Sequence, residues 1–357
     1  MLADSIFTTP SVEALFADTV ELRYMLAVEA ALAAAQAAAG LIPDAAAQRI
    51  NEVCAQTDWS IELIATQTQL AGNPAIPVVN ELKRRVGLLT PNLVGYVHVG
   101  ATSQDLIDTA LMLQLKAAFP LLQTALVDLI GQLKALADAC GNTPLMGRTL
   151  LQHALPIMFG HKIAGWLDGL NRSAAHLEHM AQTGLVVQLG GPVGTLAQMG
   201  TEGPAIRKQV AEALGLGDAP AWHTQRDRLA DIAAPLGTLN GLLGKLATDM
   251  ILLMQTEVDE LRERAEAGKG GSSSMPHKRN PVSATFMVAI AHQTPALVAT
   301  LLGSMLQPHE RAAGAWHSEW PVIRQLVKLT AANLYHANNL LTGLEVDTAR
   351  MKTNSKN

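Results

Sequence analysis

The chain has 357 residues, 49% hydrophobic and 16% charged, with a formal net charge of -5, the profile of a globular protein with a large core. Its 26 Lys and Arg against 31 Asp and Glu form no basic block, which excludes a general attraction to nucleic acid or anionic lipid and points to small ligands. The N-terminus "MLADSIFTTPSVEALF" has no basic region followed by an apolar run, no later stretch reads as a membrane span of ~20 residues, and the two cysteines, Cys54 and Cys140, read as buried thiols; the expectation is a cytoplasmic protein.

Alanine and leucine dominate and aromatics are only 4%, so strong helix formers outnumber the residues that strands prefer, and the fold class expected is all-α. From Val12 to Ala39 the sequence predicts one helix that stops at Gly40, and "IPDAAAQRINEVC" restarts as Pro43 and Asp44 open the next. Shorter helices are expected at Ser60 to Leu70 and Pro77 to Val86, the latter closed by Gly87. These make an N-terminal helical domain, residues 1–97.

The helices then lengthen. Gln104 to Cys140 carries Leu122, Leu126, Leu129, Leu133, Leu136 and Cys140 in alternating steps of four and three, a heptad seam. A stronger seam runs through Leu229, Ile232, Leu236, Leu239, Leu243, Leu246, Met250 and Leu253, inside a helix predicted from Arg226 to Ala267. Leu155 to Thr183 is the third long stretch. Pro120 and Pro235 should kink these helices without ending them, because the apolar period resumes in phase. Seams of this length ask for a bundle shared between subunits, so an obligate oligomer is expected. Residues 98–343 form this central domain.

Three stretches interrupt the helices: "VHVGATSQD", "GRTLLQHALP" and "GGSSSMPHKRNP". Read alone, each has a plain explanation. "GGSSS" is a flexible linker, Thr102 and Ser103 are helix N-caps, His98 and His153 are polar residues satisfied in a bundle, and Arg148 is a surface cation. His176 and His179, three apart on a helix, have no third partner nearby in sequence to make a metal site. A chemical reading runs beside this. Lys278 is a compact cation suited to a carboxylate, Asn280 can donate to the same group, and a helix start bearing two hydroxyls accepts an anion.

"GSSSMPHKRNP" at 271–281 resembles the GSSxMPxKxNP signature of the fumarase/aspartase superfamily, "GATSQDLIDTA" its first conserved stretch and "GRTLLQHALP" its second, in the same order. Within it, "MLAVEAALAAAQAAAGLIP", "AGNPAIPVV", "AWHTQRDR" and "ERAAGAWHSEW" are particularly similar to the branch that cyclises a carboxylated muconate. The resemblance implies a homotetramer with a common helix bundle, each active site shared between subunits, no cofactor, and a small tricarboxylate as substrate. It implies a mobile loop closing over that substrate, with Lys278 and Ser272 as the groups that handle the proton on carbon. Thr102, Ser103, Arg148, Asn280, His98, His153 and Arg311 are the anion holders it implies. Family members continue into a third helical domain, of which residues 344–357 are the expected, shortened start.

One departure from the family pattern carries chemistry. Typical lyases of the superfamily have RTHxQ in the second stretch and a glutamate five residues after the signature asparagine, a His–Glu pair that protonates the leaving group. Here those positions are Leu150 and Thr285. A departing hydroxide or amine needs that proton, whereas a lactone opens by expelling a carboxylate, which leaves unprotonated because its conjugate acid has a pKa of about 4. In the ring-closing direction the nucleophile already lies in the same molecule. The rival readings are an adenylosuccinate- or argininosuccinate-type lyase that releases fumarate, and a non-catalytic relative of the lens crystallin kind.

Overall fold

The computed structural model describes residues 2–264, 266, 270–271, 275 and 278–356. The N-terminal helix is in two pieces, α1 (Pro10–Leu15) and α2 (Asp18–Ala38), because Phe16 turns into the core and Ala17 is extended before Asp18 starts a new turn. Gly40 ends α2 in the left-handed conformation, and the amide of Leu41 closes on the Gln36 carbonyl at 2.8 Å. Then come α3 (Asp44–Cys54), α4 (Ile61–Ala71), started by the Ser60 hydroxyl, and α5 (Ala75–Leu89), which runs on past Gly87.

Helix α6 (Ser103–Cys140) is unbroken across Pro120 and spans about 57 Å at 1.5 Å per residue. The segment after α6 departs from the expected loop and helix. Strand β1 (Pro144–Thr149) pairs antiparallel with β2 (Gln152–Met158), so α7 (Phe159–Thr183) begins four residues later than the apolar pattern suggests. Leu150 and Leu151 form the two-residue turn with φ of 51° and 63°, a geometry that usually selects Asn-Gly. After α8 (Gly203–Leu214) comes α9 (Asp227–Leu253), about 40 Å long rather than the ~60 Å predicted. "TEVDELRERAEAG" is rich in helix formers, but the chain turns at Asp259 (φ 52°) and buries Leu261 in strand β3 (Leu261–Arg262). Tertiary pairing with β4 (Glu345–Val346) outweighs local propensity there. Helices α10 (Val282–Gly303), α11 (Ala315–Leu341) and α12 (Thr348–Asn354) complete the chain.

The seam of α9 and Leu122, Leu126, Leu129 and Leu133 of α6 are buried within this single chain, against α7, α10 and α11. The unmet apolar surface lies elsewhere. Helices α6 and α10 are both long and apolar enough by composition to cross a membrane, contrary to the reading of the sequence; α6 is mostly covered, while only 22% of the most apolar window of α10 is buried. Leu150, Leu151, Leu155 and Met158 on the hairpin are also exposed.

Candidate active site

The first signature stretch sits at the N-terminus of α6, which is fixed from inside by Asp105. This carboxylate is 1% exposed and accepts from the amides of Thr102 (3.0 Å), Gly190 (2.9 Å) and Gly191 (2.8 Å), from Gln188 Nε2 (3.1 Å) and from His223 Nε2 (2.7 Å). Five donors on one buried carboxylate lock the start of α6 to the 188–191 loop. Gly191 is required by that contact: its φ is +73°, and a Cβ there would lie 2.6 Å from the Gly100 carbonyl. Thr102 is the N-cap and closes a capping box with Asp105, so the plain reading of it holds. Thr102 and Ser103 are both half-exposed. Beside them, His98 Nδ1 lies 2.5 Å from Glu29 Oε1 of α2, and Arg311 donates to the Pro192 carbonyl at 3.1 Å. His98, Thr102, Ser103 and Arg311 are therefore gathered around one end of α6.

The second stretch is at the opposite end of that helix. Arg148, expected among the anion holders, places both Nη atoms on Glu260, at 3.0 and 3.2 Å, and Glu260 is fully buried and also takes Asn354 Nδ2. His153, its cross-strand partner, is exposed. Leu150, at the histidine position of the family pattern, projects from the hairpin tip at 96% exposure.

The third stretch lies near this second one, at the start of α10. Glu263, three residues after Glu260, accepts from the amides of Ser283 (3.3 Å) and Ala284 (3.1 Å) and so caps α10. Gly270, at φ +70°, receives the Asn280 amide at 3.0 Å; a Cβ there would meet the Asn280 carbonyl at 2.8 Å. Arg279 is bound to Glu345. Lys278 is exposed and its ammonium has no partner among the described residues; Asn280 is half-buried, and both line a cleft of about 810 Å³ with Asp259, Arg262, Arg264 and Glu266. Ser272 lies outside the described residues. Thr285, at the glutamate position, closes its hydroxyl on the Pro281 carbonyl at 2.7 Å.

Behind the α6 start is a buried ionic cluster. Arg226 bridges Asp108 (2.7 Å) and Glu319 (2.5 Å), with Trp316 Nε1 on Asp108 and Gln307 Nε2 on Glu319. Burial pushes the Glu319 carboxyl up to about 7 against the opposing pull of Arg226, with Asp108 adding to the rise. The sequence reading missed Glu29, Asp105, His223 and Arg226 as organisers of the site. Their signal is present as polar residues at core spacing: Glu29 and Gln36 are seven apart on an otherwise alanine- and leucine-rich face, and "AWHTQRDR" follows a Gly-rich loop. Among the described residues no three His, Cys, Asp or Glu converge to hold a metal.

Comparison with known proteins places the chain in a family. The sequence model of the family described as lyase matches residues 5–295. The 3-carboxy-cis,cis-muconate cycloisomerase of Pseudomonas aeruginosa is 45% identical over 354 residues, 99% of this chain and 77% of that one. The enzyme of the same name from Bradyrhizobium diazoefficiens is 44% identical over 94% of this chain and 75% of its own length. The crystal structure of the 3-carboxy-cis,cis-muconate lactonizing enzyme from Pseudomonas putida superposes with a TM-score of 0.93 at 41% identity, covering 99% of this chain and 79% of that one. With three signature stretches seated at the ends of its long helices and a match across most of its length, the chain belongs to the lyase family and has the all-α fumarase/aspartase fold.

Proposed function

We propose that the chain is a cycloisomerase that converts 3-carboxy-cis,cis-muconate into 4-carboxymuconolactone, in the cytoplasm and without a cofactor. A carboxylate oxygen of the substrate forms a bond to one alkene carbon, the π bond breaks, and the neighbouring carbon takes a proton. The tip of the hairpin carries this reading: Leu150 stands where a leaving-group acid would be, and Thr285 is closed on its own helix. A reaction whose leaving or attacking group is a carboxylate does without that acid. The α6 start, with Thr102 and Ser103, holds one anion together with His98 and Arg311, while Asn280 and Lys278 hold another and Lys278 delivers the proton, Ser272 being the alternative donor. Arg148 sets the hairpin on Glu260, with His153 on the strand opposite. Incubation with 3-carboxy-cis,cis-muconate should bleach the diene absorbance and yield a lactone identified by NMR. Absence of lactone alongside fumarate release from adenylosuccinate or argininosuccinate would reverse the assignment, and no turnover of any of them would favour a non-catalytic relative.

The site is shared between subunits of a homotetramer in this proposal. The first stretch and the hairpin are separated by the length of α6, about 57 Å, too far to meet on one small molecule in one chain. The uncovered face of α10 and the exposed leucines of the hairpin are the surfaces left for partners, rather than the buried seams. Mixing an inactive Ser103→Ala chain with an inactive Lys278→Met chain should restore about a quarter of full activity, since random pairing of two contributions leaves that share of sites intact. No recovery after subunit exchange verified by native mass spectrometry removes the shared site.

Restoring the family pair as Leu150→His with Thr285→Glu should lower lactone formation. The new carboxylate repels a trianionic substrate, and the imidazole offers a proton to an oxygen that needs none. A gain in kcat/KM for lactonization contradicts the scheme.

A further inference from the structure

Helix α2 grips the segment just ahead of the first signature stretch at two points. Gln36 Nε2 donates to the Val99 carbonyl at 2.6 Å, and one face of the same helix sets the Glu29 carboxylate, 2% exposed, 2.5 Å from His98 Nδ1. His98 is held at φ 62°, a left-handed conformation that a non-glycine residue keeps only when its surroundings impose it. The helix therefore fixes both the backbone and the ring. A carboxylate this deeply buried requires a cationic or hydrogen-bonded partner, and the imidazole is its one hydrogen-bond partner among the described residues. With Nδ1 on Glu29, the remaining polar atom of the ring is Nε2, and the side chain keeps 14% of its surface open, in a small cavity it shares with Ala101 and Asp105 at the α6 start.

We propose that Glu29 is a positioning residue of the active site, which fixes the His98 ring with Nδ1 bound and Nε2 left to donate to a substrate carboxylate at the α6 start. This rests on the cycloisomerase reading and names the residue through which one of its anion holders works. The carboxylate serves a second purpose, favouring the cationic form of the ring where the substrate is a trianion. Burial works against the imidazolium, but the charge and hydrogen bond of Glu29 on α2 outweigh it and raise the ring's pKa, Asp105 on α6 adding to the rise and Lys83 on α5 opposing it. The thiol of Cys54 on α3 also faces Glu29; burial first and the carboxylate second push it up, so it stays neutral beside the pair.

The test compares Glu29→Gln, which keeps the shape and can still accept from Nδ1, with Glu29→Asp, which keeps the charge. At pH 8 the glutamine variant should raise KM for 3-carboxy-cis,cis-muconate about tenfold, with a smaller effect on kcat, and the increase should shrink as pH falls below the ordinary imidazole range, where even the buried ring takes up a proton without help. Glu29→Asp should recover part of the loss. In a His98→Gln background Glu29→Gln should add nothing further. Independently of turnover, ¹³C-labelled histidine NMR should show the His98 resonance, assigned by its loss in His98→Gln, titrating at lower pH in Glu29→Gln than in the parent. A KM increase that does not shrink as pH falls, one additive with His98→Gln, or an unmoved titration overturns the proposal and marks Glu29 as packing alone. If the parent does not turn over the muconate, the NMR titration and the pH dependence of tricarballylate binding, measured calorimetrically for both proteins, decide the role of Glu29 while the reaction assignment falls separately.

Discussion

Arg226→Met is expected to destabilise the fold by about 3–5 kcal/mol at neutral pH, a loss typical of a buried charge pair stripped of one partner. The Arg226 side chain has no exposed surface and is the cation between two buried carboxylates, Asp108 of α6 and Glu319 of α11. It also lies against the Trp222 ring, 4.6 Å from its centroid. Methionine fills much of the volume but leaves both acids without a counter-charge, where they either stay ionised at high desolvation cost or take up protons. The urea midpoint at fixed protein concentration checks the expectation. A loss under 1 kcal/mol would mean that packing, not charge, holds this junction.

The pH dependence separates the two explanations. In the native state Glu319 keeps its proton to about pH 7, while an unfolded glutamate releases it at about 4.5, so the folded form holds more protons in between. Its contribution is therefore fully present below about 4.5 and is lost as pH rises through about 7. Removing Arg226 takes away the group that pulls Glu319 down, so the Glu319 carboxyl rises further and the penalty grows with pH. The difference between parent and variant should be smaller at pH 5.5 than at pH 8. A penalty independent of pH would assign the loss to shape.

How much of this was legible in the sequence depends on the kind of interaction. The long helices followed from their apolar spacing, and Leu122, Leu126, Leu129 and Leu133 and the seam of α9 are indeed core positions. Their partners were not legible, since a heptad seam looks the same whether it faces another helix of the same chain or of a neighbour. The end of α9 was misjudged for a related reason: Glu257 to Glu266 are mostly helix formers, yet Leu261 pairs with Val346, 85 residues later, and Glu260 and Glu263 are used at distant points. The hairpin carried no turn signal, because Leu150 and Leu151 occupy conformations that Asn and Gly usually take. Signature stretches named the candidate residues, but only the fold shows that His98, Thr102, Ser103 and Arg311 gather at one end of α6 while Arg148 and Lys278 belong to the other.

Lys278→Met is expected to lower kcat/KM by about a hundredfold to a thousandfold with no change in the urea midpoint, the scale on which loss of one preorganised donor reduces catalysis. The side chain is exposed, lines the large cleft at the α10 start and has no ionic or hydrogen-bonded partner among the described residues, so its removal takes nothing from the fold. A cation maintained there faces Asp259 and Glu266, but also Arg262 and Arg264, a mixed field in which the approaching trianion supplies the dominant charge. Two roles remain combined in the methionine result, holding a carboxylate and delivering the proton to carbon, and Lys278→Arg divides them. Arginine keeps the positive charge and can grip a carboxylate in two places, yet a guanidinium gives up a proton far less readily than an ammonium. If Lys278 is the proton donor, the arginine variant should recover KM while kcat stays low; if it only binds, both should recover and Ser272 becomes the donor. A methionine variant that keeps nearly all of the activity removes Lys278 from the reaction in either role.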